Sequence, residues 1–169
     1  MEFFASYLSP LGKLWLFSDG RHLTKILPGE AIPTAARPGD CPVLRQTQNW
    51  LDGYFRGENP EQNIPLAPAG TPFQQQIWKL LLDIPYGNVR TYGDIARQLH
   101  PNMSPQAVGQ AVGRNPIAIV IPCHRVVGAK GRLTGYAWGM ENKKWLLNHE
   151  GWNIQEKECK SCATRIFKV

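Results

Sequence analysis

The chain has no apolar run approaching the ~18 residues that a membrane-crossing helix needs. Its opening, Met1-Glu2-Phe3-Phe4, lacks a basic stretch and its apolar character is soon broken by Ser9-Pro10, so no secretory leader is read. Cysteines are few: Cys41, Cys123, Cys159 and Cys162. Without a leader they point to a reduced, cytoplasmic protein in which a cysteine is a thiol before it is half of a disulfide. Acidic residues are scarce as well, 13 against 19 basic ones in 169 residues, giving a formal charge of +6. That excess suits a polyanionic partner. A composition of 43% hydrophobic and 19% charged residues excludes a disordered linker and sets one compact domain or two small ones.

The charge is unevenly spread. Residues 1–70 carry 6 basic and 7 acidic side chains, residues 71–169 carry 13 and 6, so the second half is the one to search for a nucleic-acid surface. In the first half, apolar segments at 2–8, 13–18 and 22–27 separated by Ser9-Pro10-Leu11-Gly12 and Asp19-Gly20 predict an antiparallel meander. Val43, Leu44, Thr47, Trp50, Leu51, Tyr54 and Phe55 recur at helical spacing, stopped by Gly57. The stretch 59–70, with three prolines, reads as a connector, which sets the expected boundaries: an N-terminal domain at 1–58, a linker at 59–70, a second domain at 71–153 and a basic tail at 154–169.

Thr71-Pro72-Phe73-Gln74 has the signature of a capping box with proline at the first helical position. Thr91 with Asp94, then Ser104-Pro105, mark the starts of two short helices joined by a tight turn, a helix-turn-helix or an ordinary helical hairpin. The second of these is unusually small in its side chains, with Ala107, Gly109, Ala111 and Gly113. Ile117-Ala118-Ile119-Val120-Ile121 predicts a short buried strand that delivers Cys123 and His124. A thiol beside an imidazole is a chemical candidate, although neighbours on an extended strand face opposite ways.

The hexapeptide Pro122-Cys123-His124-Arg125-Val126-Val127 resembles the active-site signature of the O6-alkylguanine-DNA alkyltransferases, also called methylated-DNA:protein-cysteine methyltransferases. Asn115-Pro116 upstream, Gly135-Tyr136 downstream and Trp145 to Gly151, which resembles the family's closing helix with its glutamate, extend the likeness. It implies an α+β fold: a ribonuclease H-like sheet-and-helix domain, then a mostly helical, winged-helix-like domain with a helix-turn-helix. It implies that Cys123 takes the alkyl group by direct displacement and that the protein is consumed. His124 would act as base through a bound water, Glu150 would hold His124, and Asn115 would brace the turn. Tyr92, Val126 through its carbonyl, Tyr136 and Ala137 would form the base pocket, with Tyr92 able to relay a proton to the leaving guanine. The implied partner is double-stranded DNA entered from the minor groove by the small-residue helix, with the damaged nucleotide rotated out. O6-alkylguanine and O4-methylthymine are the implied substrates, with no metal or other cofactor, no membrane, and a monomer.

Two positions depart from the pattern. Gln106 stands where many members have an arginine that fills the gap left by the extruded base, which shifts more of that task to Arg114, with Ala107 beside it on the groove-facing helix. Trp138 stands where many have glycine and would either narrow the alkyl pocket or pack toward Trp145. The lone Cys159-Lys160-Ser161-Cys162 has too few thiols for a four-ligand zinc site, and the tail reads as a flexible extension. The competing reading is a non-catalytic protein that marks alkylated DNA or regulates transcription through the same helices. A Cys-His hydrolase is disfavoured, because no oxyanion-donor pattern accompanies the pair.

Overall fold

The computed structural model describes residues 1–155 and 165–168. Its chain divides into two units, Met1–Ala69 and Gly70 onward.

In the first unit, β1 (Phe3–Ser9), β2 (Gly12–Ser18) and β3 (Leu23–Pro28) form the expected meander, and the pair Ser9↔Gly12 closes a two-residue turn. The proline-rich stretch that follows contributes β4 (Arg37–Pro38), parallel to β1, so the order is β3-β2-β1-β4. Alternation along β2 divides its side chains between two faces. Leu14, Leu16 and Ser18 are fully buried on one face, and Trp15 and Phe17 cluster with Phe4 on the other. The first face lies under α1 (Pro42–Phe55), which turns Val43, Leu44, Thr47, Trp50, Leu51 and Tyr54 inward, as its spacing predicts. The segment expected to be a connector is fastened to this unit. Leu23 and Ala67 N–H donate to the carbonyls of Pro65 and Leu23 at 2.8 and 2.9 Å, and Ile64 is buried. The prolines hold it extended, and its one β-branched residue gives it something to bury.

The second unit opens with α2 (Pro72–Leu82), and both halves of the Thr71–Gln74 capping box are formed. β5 (Arg90–Thr91) leads into α3 (Tyr92–Leu99), capped by Thr91 with Asp94, and α4 (Pro105–Gly113) is capped by Ser104. Trp78 on α2, fully buried, donates Nε1–H to the Ala111 carbonyl at 2.9 Å and so ties α2 to α4. β6 (Val126–Val127) pairs in parallel with β5, and α5 (Met140–His149) follows. Two expectations are corrected here. Ile117–Ile121 is buried, but it is a tight turn and not a strand: Ile121 N–H donates back to the Ile117 carbonyl at 2.9 Å, and Ile119 takes φ +74°. The C-terminal stretch is not wholly without structure, because β7 (Trp152–Gln155) pairs antiparallel with β8 (Arg165–Lys168). The boundary expected between 153 and 154 therefore falls inside a strand. Cys159 and Cys162 lie outside the described residues. No helix among the described residues is long and apolar enough to cross a membrane.

Candidate active site

Cys123 is placed by a clamp. Asn115 Nδ2 donates to the Ile121 carbonyl at 2.8 Å, and its Oδ1 accepts from Ile117 N–H at 3.0 Å, so one side chain closes the turn that precedes Pro122. A β-branched residue with positive φ, Ile119, is a costly conformation, and it persists because this clamp over-determines the turn. Cys123–Arg125 then forms a single 3-10 turn rather than an extended run. That turn lets Cys123, His124 and Arg125 be buried together, which a strand would not have arranged.

Glu150 reaches the turn from the end of α5. Gly151 takes φ +97°, the left-handed conformation that ends a helix, and leaves Glu150 as the residue that caps α5. The Glu150 carboxylate meets His124 Nε2 with one oxygen; with the other it accepts from Arg125 Nε at 2.7 Å and Gly87 N–H at 3.0 Å. Gly87 can approach because it has φ +75°. Arg125 also donates Nη1–H to the Ile84 carbonyl at 2.7 Å. Burial alone would raise the Glu150 carboxyl, but His124, the guanidinium and the Gly87 amide outweigh it and hold the group near about 2. Burial lowers the His124 imidazole from its ordinary value despite the adjacent carboxylate. The pair is therefore a neutral imidazole against a charged carboxylate, with His124 Nδ1 meeting no protein partner among the described residues.

Burial likewise pushes the Cys123 thiol up; hydrogen bonds with Asn115 and Tyr136 and the charge of Lys143 act against it. The thiol opens onto a cavity of about 520 Å3 lined by Tyr92, Gln106, Gly109, Thr134, Tyr136 and Ala137 among others. Tyr92 accepts a hydrogen bond from Thr134 Oγ1 at 3.4 Å, and burial raises its hydroxyl above the ordinary value, so it keeps its proton. Gln106 is exposed at the mouth, its Oε1 accepting from Ser104 Oγ at 2.9 Å. Trp138 is not among the lining residues; its ring stands 6.4 Å from that of Tyr136, and its carbonyl accepts from Asn142 of α5 at 2.9 Å. Ala107 and Arg114 lie outside this cavity, along a shallower groove with Thr71 and Gln110. The Val126 carbonyl already accepts a hydrogen bond, from Lys143 Nζ at 2.7 Å. Lys143 and Arg125 had no role in the sequence reading. The signal for Lys143 was present: it falls three, four and seven positions before Leu146, Leu147 and Glu150, on the buried stripe of α5.

A thiol that faces an apolar cavity with a neutral imidazole next to it in the chain equips the unit for nucleophilic attack on a bound group, which places it among proteins that use cysteine as a nucleophile. Comparison with known proteins narrows this class. Residues 72–152 match the family profile described as 6-O-methylguanine DNA methyltransferase, DNA binding domain, and residues 3–68 match its ribonuclease-like domain. The chain is 40% identical to a methylated-DNA–protein-cysteine methyltransferase of Haemophilus influenzae, over 98% of this chain and 96% of that one. It is 41% identical to that of Methanosarcina acetivorans, over 88% and 98%. It also superposes on the crystal structure of Mycobacterium tuberculosis OGT in complex with DNA, with a TM-score of 0.80 and 44% identity over 88% of this chain and 92% of that one. The chain belongs to the 6-O-methylguanine DNA methyltransferase family.

Proposed function

We propose that the chain is a DNA repair protein that moves the alkyl group, foremost methyl, from O6 of guanine in double-stranded DNA to Cys123, once and irreversibly. The observation that carries this reading is the thiol at the floor of an apolar cavity whose mouth is edged by α4. His124 sits on the same turn as that thiol, and Glu150 meets it from the end of α5. Within the cavity, the thiol proton passes through a water to His124 Nδ1, and the sulfur attacks the alkyl carbon. The S–C bond forms as the C–O6 bond breaks; the electron pair stays on guanine, which takes a proton at N1 or N3 through Tyr92. Glu150 acts through His124, Asn115 through the turn it clamps, and Tyr136 and Ala137 bound the base; the Val126 carbonyl, with a second lone pair beyond the one Lys143 uses, accepts from the exocyclic amine.

A base inside a duplex hides its O6, so the nucleotide must be rotated out at a cost of about a few kcal/mol. α3 and α4 act as the helix-turn-helix, and the small residues of α4 let it enter the minor groove with little sequence readout. Gln106 meets the orphaned base after leaving Ser104, and Arg114 contacts phosphate. The protein works as a monomer in the reducing cytoplasm, without metal or cofactor, and O4-methylthymine is a second substrate. Intact mass spectrometry after incubation with an O6-methylguanine duplex tests the reading. One added methyl per chain, located on Cys123 and absent in Cys123→Ala, is expected; repeated turnover, or transfer in Cys123→Ala, sinks it.

A further inference from the structure

A buried ammonium needs a reason to be there. Lys143 is fully buried, and both of its hydrogen bonds go to neutral backbone carbonyls, Val126 at 2.7 Å and Thr134 at 3.1 Å. No carboxylate among the described residues pairs with it. Such burial carries a desolvation cost that a leucine or methionine on the same helix face would avoid. The two carbonyls it joins belong to two segments of the site: Val126 directly follows the turn that carries Cys123, and Thr134 begins the stretch through Ala137 that lines the cavity. Its Nζ also stands 6.0 Å from the centre of the Tyr92 ring.

We infer that Lys143 is a positioning residue for the reaction: it ties the segment after the Cys123 turn to the Thr134–Ala137 lining at one ammonium and supplies the positive charge that favours the Cys123 thiolate. The chemistry requires such a charge. The sulfur must become an anion in an apolar cavity, and the negative charge then moves to the departing guanine within the same few ångströms. His124 cannot supply it while neutral, and the Arg125 charge is engaged by Glu150. The groups that share the field of Lys143 are Cys123 and, on the same turn, His124, with Arg125 and Glu150 balancing one another; Tyr92 of α3, whose hydroxyl burial raises, keeps its proton near neutral pH, and Tyr136 lines the cavity beside them. Burial lowers the ammonium to about 8, a value at which it is still mostly charged at neutral pH, and the thiol favours its charged form in return.

This inference rests on the proposal that Cys123 is the acceptor, and its test separates the two. Alkylation of Cys123 by iodoacetamide, located by peptide mass, and single-turnover methyl transfer from an O6-methylguanine duplex are followed from about pH 6 to about pH 10 in wild type, Lys143→Met and Lys143→Gln. Both neutral variants should lose about tenfold in rate at neutral pH in both reactions and regain it at high pH, a shift of the thiol titration by about one unit. Gln, which can still donate to a carbonyl, should keep more of the DNA reaction than Met at matched thiolate fraction. Folded variants with the wild-type pH profile overturn the inference. Should neither variant fold, the wild-type lysine side chains titrated by NMR decide it: one ammonium must titrate near about 8 rather than at the ordinary 10.5, and its absence overturns the placement. Lys143-dependent iodoacetamide reactivity without methyl transfer from DNA would sink the functional reading and leave the inference standing.

Discussion

The two units handle charge in opposite ways. In the first, every ion pair lies at the surface: Lys13–Glu30, Lys25–Glu2, Arg45–Asp40, Arg56–Glu58 and His22–Asp19 all keep more than a third of at least one side chain exposed. Its interior is Leu14, Leu16, Ile26, Leu44 and Leu51, and Lys13 and Lys25 cover the rings of Trp15 and Phe17 from outside. In the second unit, His124, Arg125, Lys143 and Glu150 are all buried. A domain built for stability has no use for four ionisable groups in its interior, so the contrast marks where chemistry is done at the expense of stability.

The largest test of this contrast is Glu150→Ala. It strands the Arg125 guanidinium and the Gly87 amide together, and a loss of about 3–5 kcal/mol is expected, read as faster hydrogen exchange in α5 while α1 is unchanged. Methyl transfer should fall far more than DNA binding in the milder Glu150→Gln and in His124→Ala.

Acid should act next. The Glu150 carboxyl is held near about 2 when folded against 4.5 when unfolded, so its stabilisation is complete above about pH 4.5 and fades as pH falls toward 2, a loss on the order of 3 kcal/mol. His124, held below its ordinary 6.5, works in the same direction from that pH downward. Lys143 works at the other end: with a folded value of about 8 against 10.5, the unfolded chain binds the extra proton between them, and stability rises with pH across that window. Thermal melts across pH should show both slopes, with Lys143→Met flattening the alkaline one and Glu150→Gln the acid one.

Asn115→Ala leaves the Ile117 amide and the Ile121 carbonyl unpaired and should cost about 2 kcal/mol in a denaturant melt. The smallest effect belongs to the first unit. Arg45→Ala, which breaks an exposed pair with Asp40, should leave the denaturant midpoint almost unmoved, and more nearly so at high salt; a loss as large as that of Asn115→Ala would erase the contrast.

What could be read in the sequence follows a physical line. Local signals were sufficient where the interactions are local: Thr71 with Gln74, Thr91 with Asp94, and the spacing of α1 all point to structures that their own side chains close. The family-specific hexapeptide located the thiol, and the structure brings Asn115 to it and Glu150 to its neighbour His124. Ile117–Ile121 misled because β-branched residues favour strands, whereas a side-chain clamp from Asn115 and a backbone hydrogen bond decided the outcome. The β1–β4 and β5–β6 pairings, two residues each, are too short to leave a periodic trace. Trp138 was ambiguous for a different reason: which wall a large ring joins depends on the path of the chain around it, here against Tyr136.

The Asn115 clamp also counts residues. Because one amide grips the backbone at two points, 117 and 121, the distance along the chain from asparagine to cysteine is a fixed ruler, and the left-handed Ile119 is the notch that sets its length. One residue added inside that interval must either break the grip or turn Cys123 away from the cavity, whereas among the described residues no side-chain hydrogen bond spans the turn at Ala129–Gly131. Length variation should thus be accepted at 129–131 and refused at 115–123, a pattern that scanning single-residue insertions for methyl transfer would reveal.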